Sequence, residues 1–183
     1  FSALEVQKEL HKIIAKNLSN KKEGKKEEIV FIESFNEMDE ILKKKEEASQ
    51  CGTTATVCLL IDDILYIANV GNSTAFLIKN DRNIEQISKN HDCKDEKEVA
   101  RVKENGGLIF NGRVCGSLSL TRCLGNFDIS DCGVICKPSV SKVNIENGSF
   151  KLVIASDGVW DVLNKDDILT IITENKSKDC ETI

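Results

Sequence analysis

Residues 153–163 are the most informative part of the chain, and they read VIASDGVWDVL. A short apolar run ends abruptly at Asp157 and Gly158, and a second carboxylate, Asp161, follows four residues after the first. A buried strand that ends in an acid, with a glycine that frees the backbone, is a common way to build a metal or catalytic site. The pattern therefore predicts a strand whose exposed end carries functional carboxylates.

The length and composition are typical of one globular domain. A chain of 183 residues, 40% of them hydrophobic and 30% charged, is long enough to bury a substantial core. Its formal net charge of −5 does not favour binding to nucleic acid or to an acidic membrane surface. No apolar run approaches the roughly 18–20 residues of a membrane span. Because the first residue is Phe1 rather than Met, we expect a piece of a longer protein.

The eight cysteines admit two interpretations. In a short secreted protein they would indicate a disulfide scaffold. Here they lie in apolar or ordinary surroundings without a Cys-x-x-Cys pair, and His11 and His91 are the only histidines, so structural zinc is not expected. We expect reduced cysteines in an intracellular protein of the cytoplasm or nucleus.

Hydrophobic periodicity predicts helices at both ends of the chain and strands between them. Helices are predicted at 3–18, at about 27–47, at 94–104 and from near Lys165. Strands are predicted at 53–60, 64–70, 74–78, 83–87, 107–110, 140–145 and 151–156, with a turn at 80–82. Three tight connections between residues 53 and 87 predict antiparallel neighbours. This segregation of helices and strands favours an α+β fold over a doubly wound one.

Several short motifs occur in a fixed order along the chain. They are GTTA at 52–55, LYIANVGNSTA at 65–75, Gly106-Gly107, RVCGSL at 113–118, LTRCLGNF at 120–127 and the acidic strand end. This succession resembles the metal-dependent serine/threonine protein phosphatases of type 2C, over nearly the whole chain. The resemblance implies an α-β-β-α sandwich of two antiparallel sheets flanked by helices. It also implies that residues 1–183 form a single, incomplete type 2C phosphatase-like domain, with the first metal-motif strand and the last strand outside the chain.

The resemblance implies metal-assisted hydrolysis of phosphoserine and phosphothreonine. In the family, two Mg²⁺ or Mn²⁺ ions hold and activate a water molecule, and hard ions of this kind prefer carboxylate oxygens. Asp157 matches a direct metal ligand, and Asp161 matches an acid linked to an accessory third metal. Read without the resemblance, Asp157 could be a helix N-cap and Asp161 an ordinary surface acid.

Two positions inside the matched region depart from the family pattern. Asn72 stands where the hairpin motif has Asp, which makes it a degenerate metal-site position, and Asn126 stands where the Gly-Asp block has Asp. An amide is neutral, and one of its two heteroatoms is a donor that cannot bind a cation. We therefore expect Asn72 to weaken the accessory metal site and Asn126 to disturb hydrogen bonding near it. Gly71, Gly125, Gly158 and Arg122 are expected to support the site.

The resemblance implies further functional segments of the family that this sequence does not contain. They are the Asp-Gly-His-Gly-Gly segment, a phosphate-holding Arg and a final Asp-Asn pair. No catalytic residue is therefore expected within the chain, Mg²⁺ or Mn²⁺ binding is doubtful, and the chain by itself is predicted to be inactive.

Two further groups have a structural and a functional interpretation. His91 matches a family Asp-His element, where a structural role is favoured over a catalytic one. Arg113 and Arg122 are expected to hold the irregular segment together through carboxylates or carbonyls, with phosphate binding as the alternative.

Three functions remain open at this point. The chain belongs to a phosphatase that acts on phosphoproteins, to a pseudophosphatase that binds a protein partner, or to an unrelated α+β interaction domain whose motifs coincide by chance.

Overall fold

A computed structural model describes residues 1–80, 83–145 and 150–175. The helices are α1 (Ser2–Ser19), α2 (Glu27–Lys43), α3 (Glu96–Glu104), α4 (Asp157–Trp160) and α5 (Lys165–Glu174), with 3₁₀ turns at Glu46–Ala48 and Phe127–Cys132. The strands are β1 (Gly52–Thr53), β2 (Ala55–Ile61), β3 (Ile64–Val70), β4 (Thr74–Lys79), β5 (Asn83–Gln86), β6 (Ile109–Phe110), β7 (Arg113–Val114), β8 (Leu124–Gly125), β9 (Ser139–Asn144) and β10 (Phe150–Ala155).

The longer strands form two antiparallel sheets of three strands each. Sheet I has the order β2-β3-β9, and sheet II has the order β10-β4-β5. Because side chains alternate along a strand, β3 packs against a different layer of the fold on each of its two faces. Leu65 and Ile67 pack against β4 of sheet II. The alternate residues of β3 pack with the apolar stripes of α1 and α2, and they are Tyr66, Ala68 and Val70.

Helices cover the outer face of each sheet. The apolar stripes of α1 and α2 form the larger core cluster with sheet I. On the other side, Ile168 and Ile172 of α5 pack on Ile78 of β4. The helix α5 begins with a capping box in which Asn164 and Asp167 exchange hydrogen bonds with each other's backbone. The predicted α+β sandwich flanked by helices is confirmed.

One predicted strand pairing is wrong. The connections β2–β3 and β4–β5 do join hydrogen-bonded neighbours, but β3 and β4 belong to different sheets. The three residues 71–73, which we call the crossover turn, carry the chain from sheet I to sheet II. Gly71 opens this turn with φ of +96°, a left-handed conformation that favours glycine. The partner of β4 on this side is β10 instead.

Several element boundaries differ from the predictions. Helix α2 ends at Lys43, and residues 46–48 form a separate 3₁₀ turn. Helix α3 begins at Glu96 behind its N-cap Asp95, and its end near Gly106 and Gly107 is confirmed, since the Gly107 N–H donates to the Val102 carbonyl over 2.9 Å. Of the predicted turn at 80–82, only Asn80 lies within the described residues.

Strand β10 is not the buried strand that the sequence predicted. Within the part of the chain that the structure describes, it forms the outer strand of sheet II with β4 as its neighbour. Its side chains are half-buried, and Ile154 is 43% exposed. The apolar run of β10 therefore belongs to an edge strand. One face of the strand packs on the core, and no described strand pairs with its outer edge.

The expectation that all cysteines are reduced needs a correction. Cys115 and Cys132 are joined by a disulfide, which links the β6–β7 hairpin region to the 3₁₀ turn after β8. The other described cysteines carry free thiols, and they are Cys51, Cys58, Cys93, Cys123 and Cys136. Burial raises the pKa of the Cys123 thiol to about 12 and that of Cys58 to about 11, which makes both thiols unreactive.

Among the described residues, no helix has the length and apolar character needed to cross a bilayer.

Candidate functional site

Asp157 lies where β10 ends and α4 begins. Antiparallel pairing sets Ala155 opposite Thr74, so the end of β10 lies beside the crossover turn. Asn72 in this turn donates a hydrogen bond from Nδ2 to Oδ2 of Asp157 over 3.0 Å. The structure therefore brings together the predicted metal ligand and the degenerate position, although they are 85 residues apart in the chain. The alternative N-cap role for Asp157 is wrong, because Ser156 occupies that position.

The crossover turn is held in place by contacts with three other segments. The hydroxyl groups of Thr54 and Ser73 are hydrogen-bonded at 2.7 Å, and the Thr74 hydroxyl donates to the Asn72 carbonyl at 3.2 Å. The fully buried Asn69 donates from Nδ2 to the Gly71 carbonyl at 3.0 Å. These contacts fix the backbone on both sides of Asn72, and the fixed backbone positions the side-chain amide of Asn72 next to Asp157.

His91 supports the same turn from inside the core. The Gly71 N–H donates to Nδ1 of His91 over 3.2 Å, so Nδ1 must be an acceptor. The ring proton of the neutral imidazole then lies on Nε2, which donates to Ser139 Oγ over 2.7 Å. His91 is fully buried, and this burial, followed by the charge of Arg122, lowers its pKa to about 4. A structural role is therefore supported over a catalytic one.

The depressed pKa of His91 makes stability depend on pH. In the unfolded chain the imidazole takes up a proton near pH 6.5, but in the folded protein it does so only near pH 4. Stability should therefore fall as pH drops through this window, by about 2 kcal/mol between pH 7 and pH 5. Urea unfolding at several pH values measures it, and a His91→Gln variant should lose most of this slope. An equal slope in the variant would contradict this assignment.

Asp161 follows Asp157 by one helical turn. It is the C-cap of α4, directly after Trp160, with helical backbone angles, and its N–H donates to the Asp157 carbonyl over 2.8 Å. Residues four apart on a helix lie on the same side, so the two carboxylates face the same region. Asp161 is exposed, which fits either an accessory ligand or a surface acid.

The donors described here do not form the two-metal centre that the family implies. Among residues 1–80, 83–145 and 150–175, no group of three or more His, Cys, Asp and Glu side chains is placed to share a metal ion. Mg²⁺ takes about six oxygen ligands, and a pair of ions that shares a water needs carboxylates from more than one place in the fold. Moreover, the amide of Asn72 directs its N–H toward Asp157, where a cation would have to bind.

Gly125 and Asn126 lie in a different local environment. Strand β8 pairs with β1 so that Gly125 lies opposite Gly52, and the Gly125 N–H donates to Oδ1 of Asp39 over 2.8 Å. Burial raises the pKa of Asp39. Asn126 has φ of +57° and lies against Gly52 and Cys123, and none of its contacts is with Asp157. Asparagine tolerates this left-handed backbone conformation well.

Arg122 lies at the centre of a buried ion network. It donates from Nε and Nη2 to the two oxygens of Glu98, over 2.9 and 2.5 Å, and from Nη1 to the Lys137 carbonyl. Arg113 donates to the Ser117 carbonyl. Both contacts support the structural interpretation of these arginines. Glu98 could not be predicted from the sequence, because an acid within a polar helix carries no signal of burial.

The glycine after Asp157 has a smaller role than the sequence suggested. Gly158 lies in the first turn of α4 and does not have a positive φ. A Cβ placed there would lie 3.6 Å from Ser156 Oγ, an ordinary contact. The chain turns at this point because α4 begins, and Trp160 secures that turn by donating from Nε1 to the Ala155 carbonyl over 2.8 Å.

The chain is similar in sequence to known protein phosphatases. The chain is 34% identical to Protein phosphatase 2C homolog 1 of Saccharomyces cerevisiae over 184 residues, which covers 91% of this chain and 64% of that protein. It is 33% identical to Probable protein phosphatase 2C 2 of Paramecium tetraurelia, covering 82% of this chain and 56% of that protein. The chain therefore spans little more than half the length of these relatives.

Solved structures share the fold. A sex-determining protein of C. elegans superposes with a TM-score of 0.82 at 25% identity, covering 92% of this chain and 43% of that one. Serine-threonine phosphatase 2C from Toxoplasma gondii superposes with a TM-score of 0.71 at 18% identity, covering 82% and 56% of the two chains. The family model described as Protein phosphatase 2C matches residues 3–182, which excludes an unrelated interaction domain. By its motifs, its fold and these matches, the chain belongs to the protein phosphatase 2C family, the type 2C serine/threonine phosphatases.

Proposed function

We propose that this chain contributes the Asp157 corner of a phosphatase domain that hydrolyses phosphoserine and phosphothreonine with Mg²⁺ or Mn²⁺, and that the 183 residues alone are inactive. The observation that carries the proposal is the position of Asp157, at the end of β10 beside the crossover turn. Asp161 adds a second carboxylate on the same side of α4. Two metal ions that share an activated water require more protein ligands than these two acids supply.

The inactivity of the isolated chain can be measured directly. With a phosphothreonine peptide as substrate, the chain should release phosphate in MnCl₂ no faster than in EDTA or in a blank without protein. An active metal-dependent phosphatase in the same buffer serves as the positive control. Phosphate release that requires Mn²⁺ and disappears in the Asp157→Asn variant would contradict the prediction.

The phosphatase role is tested in the natural polypeptide in which this chain occurs. We expect Mn²⁺-dependent turnover there, lost in Asp157→Asn and retained in Asp63→Asn. Asp63 is a matched control because it is an exposed acid in the turn between β2 and β3. Equal losses in both variants would point to a general effect of charge on the domain rather than to a role of Asp157 in the site.

A second candidate function is protein binding without catalysis. It is favoured by the neutral amides at Asn72 and Asn126, since the first of them makes a hydrogen bond to the predicted metal ligand. In the natural polypeptide, a large gain of activity in the Asn72→Asp/Asn126→Asp variant would support this pseudophosphatase. A wild-type protein already as active as that variant would exclude it.

We further infer a phosphoprotein as substrate or a protein as partner, and the cytoplasm or nucleus as the compartment. Support comes from the acidic net charge and from the free thiols of most of the described cysteines. The Cys115–Cys132 disulfide argues in the opposite direction, because such bonds are rare in reducing compartments. Mass spectrometry of the pair, with thiols alkylated at lysis, decides this point. Quantitative oxidation of both residues in cells would contradict the assignment.

A further inference from the structure

The amide of Asn72 offers Asp157 a partner that is part of the fold. A carboxylate accepts hydrogen bonds and also binds cations, so an amide N–H and a metal ion compete for the same oxygen. Here the N–H of Asn72 Nδ2 is 3.0 Å from Oδ2 of Asp157. A cation at that oxygen would have to displace the amide or share the oxygen with it.

The surroundings of Asn72 hold its backbone in place, so that only its side chain could make such a movement. The backbone carbonyl of Asn72 accepts a hydrogen bond from the Thr74 hydroxyl, and the hydroxyl of the next residue, Ser73, is hydrogen-bonded to that of Thr54. On the other side, Gly71 is bonded to the fully buried side chains of Asn69 and His91. The backbone of the crossover turn is thus fixed from both sheets, and only the side chain of Asn72 is free to reorient.

The number of carboxylates also opposes metal binding. Asp157 and Asp161 lie at this corner, and among the described residues no group of three or more His, Cys, Asp and Glu side chains could hold a metal ion. Replacing Asn72 by an acid would complete a set of three carboxylates, two of them already within one helical turn of each other. One amide therefore separates this corner from a site for a hard cation.

We propose that Asn72 takes the place of a bound cation as the partner of Asp157, so that the junction of the two sheets is assembled without metal. In this arrangement, Asn72 is a positioning residue. Its side chain connects the crossover turn, which lies between sheet I and sheet II, to the start of α4. The inference concerns the 183 residues by themselves and does not depend on catalysis. In the natural polypeptide, metal binding at Asp157 would need ligands from other segments.

The experiment compares metal binding and thermal stability in wild type and Asn72→Asp. Calorimetric titration with MnCl₂ should show no wild-type binding tighter than ~1 mM, and a gain of at least ~10-fold in the variant. The melting temperature of wild type should be equal in EDTA and in excess MnCl₂. That of Asn72→Asp should fall in EDTA, where the new carboxylate repels Asp157, and recover in MnCl₂.

Three further variants make the result specific. Asn111→Asp adds the same charge at the exposed β6–β7 turn and should behave as wild type. Asn72→Asp/Asp157→Asn should lose the acquired binding. Asn72→Ala removes the amide without adding charge, so its melting temperature should fall by the same amount in EDTA and in MnCl₂.

Several results would overturn the inference. They are Mn²⁺ binding by wild type as tight as by Asn72→Asp, stabilisation of wild type by Mn²⁺, an Asn72→Asp variant that gains no metal dependence, or an Asn72→Ala variant as stable as wild type. None of these measurements uses turnover, so a failure here is distinguishable from a failure of the proposed phosphatase role.

Discussion

Replacing Glu98 by Ala should lower the free energy of unfolding by about 3–5 kcal/mol, because it leaves two guanidinium groups without their carboxylate. The side chain of Glu98 is 3% exposed. It accepts from Arg122, from Arg101 and from the Thr121 hydroxyl, the last over 3.0 Å. Glu98 thereby ties α3 to the irregular segment around β8, and its loss should loosen both.

Urea denaturation of wild type and Glu98→Ala measures this effect. A matched control is Glu9→Ala, which removes the acid of the exposed Lys12–Glu9 pair on α1 and should cost less than about 0.5 kcal/mol. Glu98→Gln retains the shape but not the charge, and it should fall between the two. If Glu98→Ala were as mild as Glu9→Ala, the network would make no net contribution to stability.

The same carboxylate should make folding sensitive to acid. Burial by itself raises the pKa of Glu98, but hydrogen bonds and charge from Arg122, and then from Arg101, outweigh burial and lower this pKa to about 2. A depressed acid pKa stabilises the folded state above the unfolded value of 4.5, and this stabilisation is lost as pH falls toward 2. The Glu98→Gln variant should lack this loss, whereas the loss between pH 6.5 and 4 that we assign to His91 should remain.

Regular elements could be predicted from the sequence where the hydrophobic period is clean. The predicted strand at 64–70 coincides with β3, and α1 extends the predicted helix by one residue at each end. Such patterns are local, because one strand or helix displays its own buried face. The edge position of β10 could not be predicted this way, since an apolar run does not say how many strands flank it.

The contacts of the site are mostly beyond local patterns. Asn72 and Asp157 are 85 residues apart, and their proximity was implied only by the family resemblance. Glu98 reaches Arg122 across 24 residues, and Cys115 reaches Cys132 across 17. The first contact depends on the pairing of β10 with β4, and the other two depend on how the irregular segment between α3 and β9 folds back. No periodicity records either path.

The crossover turn shows that two strands joined by a short loop do not always pair with each other. Two strands separated by three residues normally pair, because a tight turn returns the chain beside itself. Here Gly71 adopts φ of +96° and its carbonyl is taken by the side chain of Asn69, so the chain leaves sheet I instead of returning along it. The same geometry delivers Asn72 to Asp157, which makes the turn both a topological and a functional feature.

Gly71→Ala should therefore be among the most damaging single substitutions near the site, with a cost of about 2–4 kcal/mol. A Cβ at this position would collide with Cγ2 of Thr54 and lie 2.9 Å from its Cβ. The strained turn should also withdraw Asn72 from Asp157. Gly112→Ala is the control, since Gly112 has φ of +70° with no atom within 4 Å of a new Cβ, and it should cost about 1 kcal/mol from backbone strain alone.

A double-mutant cycle separates the collision at Gly71 from the strain. Thr54→Ser removes Cγ2 and keeps the hydroxyl that bonds to Ser73, so it should relieve part of the cost of Gly71→Ala, by about 1 kcal/mol or more. The relief should be incomplete, because Cβ of residue 54 remains close. Strictly additive effects of the two substitutions on unfolding would mean that packing against Thr54 does not determine the path of the turn. In that case, the left-handed backbone at position 71 would be the whole reason why the chain passes from one sheet to the other at this point.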